Sequence, residues 1–217
     1  MKLALLMVTS LWLTMPAYAT AELTPYSASY QVLRSGSDYG DAVRELKQGP
    51  DGLFSLYTET EISWMFLTDR RRYWSSFEWQ EQQIVTRSFS YKRSGSGRNR
   101  QFNGTYEPTE RVLDEAAMLE QLRVDLQDPS RTQFRYSMID AKGEVDQHLY
   151  VRAEAELLRL PYGDVESIKI IRVREHSTRE TLYWFAPQLA FVLVKMQQIE
   201  DGDEVATLVL RRLVRHD

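Results

Sequence analysis

Residues able to do chemistry are few in this 217-residue chain. It has three histidines, His148, His176 and His216, and no cysteine, so thiol nucleophiles, disulfides and thiolate metal sites are excluded. Ser177 directly follows His176 in REHSTRE, but neighbours in sequence do not make a triad, which is a spatial arrangement of nucleophile, base and orienting acid. There is no G-x-S-x-G elbow, and no histidine spacing suits zinc. Carboxylates are plentiful, at 31 Asp plus Glu, and sequence alone does not separate a working pair from a solvated face. The expectation is a protein that is not an enzyme and uses neither metal nor cofactor.

Two stretches carry recognition chemistry instead. In MFLTDRRRYWSSFEW, residues 65–79, five aromatic side chains accompany three consecutive arginines, Arg70 to Arg72. Such a composition can stack bases or sugars, line a ligand cavity, or pack a core. Between Arg72 and Gln80 one parity holds Tyr73, Ser75, Phe77 and Trp79, and the other holds Arg72, Trp74, Ser76, Glu78 and Gln80. That is the pattern of a strand with one face buried. Tyr73, Phe77 and Trp79 are therefore expected to face a hollow, with Arg70 to Arg72 in water. A net charge of −4 argues against nucleic acid as a partner, because its binders carry a basic surplus. The loop YKRSGSGRNR lacks the GK[ST] of a P-loop. Its Lys92, Arg93, Arg98 and Arg100 read as an exposed hairpin tip.

The elements positioning these residues are mostly strands. From Pro25 onward, period-two alternation is broken every eight to twelve positions by turn residues such as GPDG, SGSG, AKG and DGD, which indicates about a dozen antiparallel strands. LDEAAMLEQLRVDLQDP breaks the pattern. Met118, Leu122 and Leu126 fall at i, i+4 and i+8 with Leu119 alongside, Asp114 is placed to cap the N-terminus, and Pro129 follows the end. This predicts one amphipathic helix, its apolar stripe on the sheet and Glu120 on the opposite face, in water. No linker, repeat or low-complexity tract divides the chain.

The N-terminus reads as an address. Lys2 precedes an apolar run, Leu3 to Met15, and Ala17-Tyr18-Ala19 supplies the small residues a signal peptidase requires. Residues 1–19 are expected to be a cleaved secretory signal and residues 20–217 a single β-rich periplasmic domain. No cysteine follows the run, which closes the lipoprotein route. No later segment approaches ~18 consecutive apolar residues, so no transmembrane anchor is expected after cleavage. Without disulfides, an exported domain must rely on its apolar core.

Four stretches together resemble an uncharacterised bacterial family of exported proteins, the DUF3108-like domain of unknown function. They are SSFEWQEQQIVTRSFSYKR with RNRQFNGTY, DEAAMLEQLRVDL, LPYGDVESIKIIRV, and RETLYWFAPQLAFVLVKMQQ, and the resemblance spans residues 25 to 213. The last is the most specific. Trp184, Ala186, Pro187, Leu189, Phe191, Val194 and Lys195 fit its signature, while Leu193 replaces a usual proline and Ala190 a frequent glycine. The resemblance implies a fold similar to the lipoprotein-localisation carriers: one strongly curved antiparallel sheet, or unclosed barrel, with a helix packed over its hollow. It implies no activity.

The function expected is non-enzymatic: holding an apolar or amphiphilic ligand, such as a lipid, acyl chain or lipoprotein anchor, in the hollow of the sheet. Tyr73, Phe77, Trp79, Met118, Leu122, Trp184 and Phe191 are the expected lining. The alternative is an envelope interaction or assembly factor, partnered by a cell-envelope protein, whose hollow is filled by its own side chains. A cell-wall hydrolase is third. An empty apolar cavity beneath the helix would separate the first reading from the second.

Overall fold

The computed structural model describes residues 23–64, 67–107, 111–140 and 142–216. The expected signal sequence and its cleavage site lie outside these residues, as do Met65 and Phe66. Twelve strands form one sheet: β1 (Tyr26–Arg34), β2 (Ser37–Gln48), β3 (Phe54–Trp64), β4 (Leu67–Gln80), β5 (Gln83–Gly95), β6 (Arg100–Thr105), β7 (Gln133–Ile139), β8 (Val145–Leu160), β9 (Gly163–Val173), β10 (Arg179–Ala186), β11 (Val192–Glu200) and β12 (Asp203–Arg215). Their spatial order is β6-β5-β4-β3-β2-β1-β12-β11-β10-β9-β8-β7, and neighbours are antiparallel. Two meanders thus meet at β1 and β12, while β6 and β7 remain as the two edges. The sheet curls without closing into a barrel.

The alternation is direct. In β1 Tyr26, Ala28, Tyr30 and Val32 are buried while the residues between them are half-buried. That parity continues across the register into Ala42, Arg44 and Leu46 of β2 and into Leu208 and Leu210 of β12. At the far end of β5, Gly95 takes φ +137°, and a Cβ there would lie 2.1 Å from the Thr68 carbonyl oxygen. Only glycine tolerates that approach.

The chain crosses from edge to edge through α1 (Glu115–Asp125). Asp114 caps it, its carboxylate accepting from the backbone N–H groups of Ala116 and Ala117, which satisfies two of the donors a helix start leaves open. At the other end Arg152 of β8 donates to the Leu126 carbonyl at 2.7 Å. No helix among the described residues is long and apolar enough to cross a membrane.

The helix sits deeper than its pattern implies. Every residue from Ala116 to Val124 is buried, and Glu120 is 1% exposed rather than in water. The polar flank that periodicity assigns to solvent exists, but the sheet curls far enough around α1 to enclose it. Arg44 and Arg123 supply the counter-charge there. The arginines of β4 are likewise paired rather than simply solvated. Arg70 and Arg72 share Glu59, each at 2.7 Å, while Arg71, of opposite parity, reaches Asp69 at 2.8 Å. Arg93 also turns to Asp69, at 2.9 Å. The exposed hairpin tip therefore keeps Lys92, Arg98 and Arg100 but loses Arg93.

Candidate functional site

The hollow is divided by the first turn of α1. On one side lies a cavity of about 190 Å³ beneath Ala116 and Leu119, floored by Val32, Ile62, Met196 and Leu208. These come from β1, β3, β11 and β12, so the curl of the sheet creates the space. Most of the floor is apolar, and several of the polar groups around it are already engaged. The Tyr30 hydroxyl donates to the Leu193 carbonyl at 3.0 Å, and Arg71 and Asp69 hold each other at the mouth.

On the other side lies a compartment of about 430 Å³ with a different character. Tyr150, Tyr183, His148 and Arg172 line it, with Asp140 and Glu144 of the β7–β8 turn and Asp146 at the start of β8. Tyr73 and Glu115 border both spaces. Tyr73 stacks on Phe89 and packs at a tilt against Tyr91, with ring centroids 6.0 Å and 4.7 Å apart, so packing fixes this dividing ring. Glu115 opens the helix and is exposed.

Electrostatics distinguish the two sides. His148 accepts from Arg172 Nη2 at 2.6 Å and faces the Tyr150 hydroxyl at 3.4 Å. Burial, then the adjacent Arg172 charge, lowers its pKa to about 4, so the ring is neutral at neutral pH. Burial also raises the Tyr73, Tyr150 and Tyr183 hydroxyls well above their usual range. They act here as hydrogen-bonding groups, not as bases.

Of the residues expected to line the hollow, Tyr73 borders the open space and the others are placed elsewhere. Phe77 is fully buried and stacks on Phe54 at 5.7 Å. Trp79 packs half-buried against the core. Met118 and Leu122 are fully enclosed beneath α1, so they fill the hollow rather than line a space. Phe191 packs against the core just after a left-handed turn at Ala190. Trp184 faces the other way: Tyr183, its neighbour in β10, lines the polar compartment, and adjacent strand residues point to opposite faces. Its ring lies between the ammonium groups of Lys195 and Lys169, at 4.3 Å and 5.3 Å, and its indole N–H donates to Glu156 at 3.1 Å.

The residues the sequence did not reveal are His148, Tyr150, Arg172 and Tyr183. A signal existed in β8 and β9, where His148, Tyr150 and Arg152 share one parity and Ile170 and Arg172 another. Apart from Ile170 that inward parity is polar or aromatic-polar, unlike the inward face of β4.

For catalysis the arrangement offers little. Ser27 Oγ lies 2.8 Å from His216 Nε2 and 3.3 Å from Glu45 Oε1. Both partners contact the serine, so they lack the nucleophile–base–acid order of a triad. Among the described residues, no group of three or more His, Asp or Glu side chains converges as metal ligands.

Among solved structures, the chain is similar to the crystal structure of a beta-barrel-like protein of domain of unknown function DUF1849 from Brucella abortus. The TM-score is 0.58 at 9% identity, over 91% of this chain and 100% of that one. At that identity the likeness is one of fold. No protein-family model matches the sequence, and no curated protein matches it.

Proposed function

We propose that this protein binds a small amphiphile at the first turn of α1, with the apolar part beneath Leu119 and the polar part among Tyr150, Tyr183 and Arg172. One observation carries the reading: an apolar cavity and a polar compartment adjoin at Tyr73 and Glu115. Together the two spaces fall in the range of roughly 300–1,000 Å³ common for small-molecule sites. The apolar part is small. An engineered apolar cavity of ~150 Å³ takes up benzene, so about 190 Å³ suits a short chain rather than a complete lipoprotein anchor while Met118 and Leu122 stay seated.

The DUF3108-like sequence resemblance bears on the fold alone, an unclosed sheet with a helix over its hollow. From the signal-like segment we infer a periplasmic protein that begins at Thr20. A second reading, an envelope assembly factor, is favoured by the burial of α1 on every side, which fills the larger part of the hollow. Native mass spectrometry of protein purified from its own periplasm separates the two. A retained small amphiphile supports binding; bare protein that also captures none when supplied with short-chain acids favours the assembly factor.

A further inference from the structure

The molecule neutralises its buried and half-buried arginines with care. Arg44 and Arg123 meet Glu120, Arg70 and Arg72 meet Glu59, Arg71 and Arg93 meet Asp69, and Arg87 meets Glu78. Arg152 has no carboxylate but donates to the carbonyls of Leu126 and Asp128 at the end of α1.

Arg172 and Arg174 break the pattern. They lie two apart, so they share one side of the chain, and both are half-buried. Arg172 has one acceptor, the neutral His148 ring at 2.6 Å. Its Nε is buried without a partner, as are those of Arg70 and Arg152, so what sets Arg172 apart is the missing carboxylate or carbonyl. Arg174 donates to Thr181 Oγ1 at 3.0 Å and to the Arg179 carbonyl at 3.3 Å. Among the described residues neither forms an ion pair. Burial, and then the field of Arg172, disfavours the charged form of Arg174. Desolvating cations side by side without a counter-ion is costly.

We infer that the polar compartment is an oxyanion site, in which Arg172 takes a carboxylate or phosphate group of the ligand and Arg174 adds charge behind it. The planar guanidinium presents paired N–H donors that match an oxyanion. His148 holds that fork in place by accepting one of its other N–H groups. Tyr73 and Tyr183 offer hydroxyls that have no hydrogen-bond partner among the described residues. The carboxylates nearby do not occupy the position. Asp140 accepts the backbone N–H groups of Lys142 and Glu144. Asp146 is 83% exposed, 4.0 Å from His148, and Glu115 and Glu144 are also exposed, where salt screens their repulsion.

This rests on the amphiphile reading above, and one titration distinguishes the failure of either. Calorimetry on the full mature chain uses octanoate, octyl phosphate and octan-1-ol. At least one anion should bind about tenfold tighter than the alcohol, as a hydrogen bond to a charged group implies. Arg172→Gln should abolish that preference, bringing the anions down to the level of the alcohol. Whichever of octanoate and octyl phosphate is preferred identifies the anion class. Should Arg172→Gln fail to fold, Arg172→Lys is read instead and should weaken the preference, because an ammonium lacks the fork. Equal binding of alcohol and anions, or a preference that survives loss of Arg172, overturns the oxyanion site alone. Binding of none of the three overturns it together with the amphiphile reading.

Discussion

Arg44 Nη2 lies 2.9 Å from Glu120 Oε1, with both side chains closed to solvent at 6% and 1% exposure. The pair joins β2 to α1 across 76 positions of sequence. Tyr26 donates to the same oxygen at 2.7 Å, and Arg123 reaches the other at 3.0 Å. Burial would raise the Glu120 carboxyl, but Arg44 and Arg123 outweigh it and hold the group below its ordinary value. Replacing Glu120 by alanine strands two buried guanidiniums, so Glu120→Ala should cost about 3–5 kcal/mol. Urea unfolding measures this. A loss under about 0.5 kcal/mol, typical of a surface position, would mean that α1 is not enclosed.

Packing beside that network gives a second expectation. Leu122 is fully enclosed, and Leu122→Asp buries a carboxylate with no counter-ion. It should lower stability by several kcal/mol or prevent folding. Leu122→Ala, a milder cavity change, should cost about 2–5 kcal/mol. A wild-type melting temperature in both variants would contradict the seating of the helix.

Acid should weaken the fold partly through His148. Its pKa is about 4 in the folded state, against ~6.5 in an unfolded chain. Between those values the unfolded chain takes up a proton that the folded protein refuses, so stability falls as pH drops from about 6.5 towards 4. The charged groups facing the ring are Arg172, Asp146 and Arg174. His148→Gln should flatten the dependence in that window. Urea midpoints measured at several pH values check it, and parallel curves for the two proteins would refute the assignment.

At the end of the 3-10 turn Pro187–Leu189, Ala190 has φ +53°, where glycine is unstrained and alanine is not. Left-handed backbone costs a non-glycine residue ~1–2 kcal/mol, while glycine adds ~0.4–1 kcal/mol of unfolded-state entropy. Ala190→Gly should therefore stabilise by about 0.5–1 kcal/mol. A loss of stability on thermal unfolding would show that the turn is held in another conformation.

N-terminal sequencing of the protein released by osmotic shock should read from Thr20. A chain that retains Met1 in the membrane fraction would remove the periplasmic assignment and the ligands that come with it.

The strands were legible because a half-buried sheet writes period two into its sequence, and the parity of Tyr73, Ser75, Phe77 and Trp79 did so plainly. Asp114 was legible because a cap acts locally. Glu120 was not, since its burial depends on how far a twelve-stranded sheet curls, which no window of sequence contains. Trp184 was hidden for another reason. From Thr181 to Ala186 both faces of β10 are buried, so parity carries no direction there. The β8–β9 turn crosses to β12, with the Tyr162 N–H bonded to the Leu210 carbonyl at 3.1 Å. Arg172 and His148 were missed because inward-facing residues were expected to be apolar, and around the polar compartment that expectation inverts.

Amphiphile binding requires the space beneath Leu119 to accept the apolar part of the ligand. A fluorescent fatty-acid probe, titrated into the folded protein and displaced by octanoate, tests it most directly when paired with Leu208→Trp, which fills that space. Wild type should bind the probe saturably, and binding should weaken by about tenfold or more in a Leu208→Trp protein that still melts cooperatively. No saturable binding to folded wild type, or equal binding to both proteins, would contradict it.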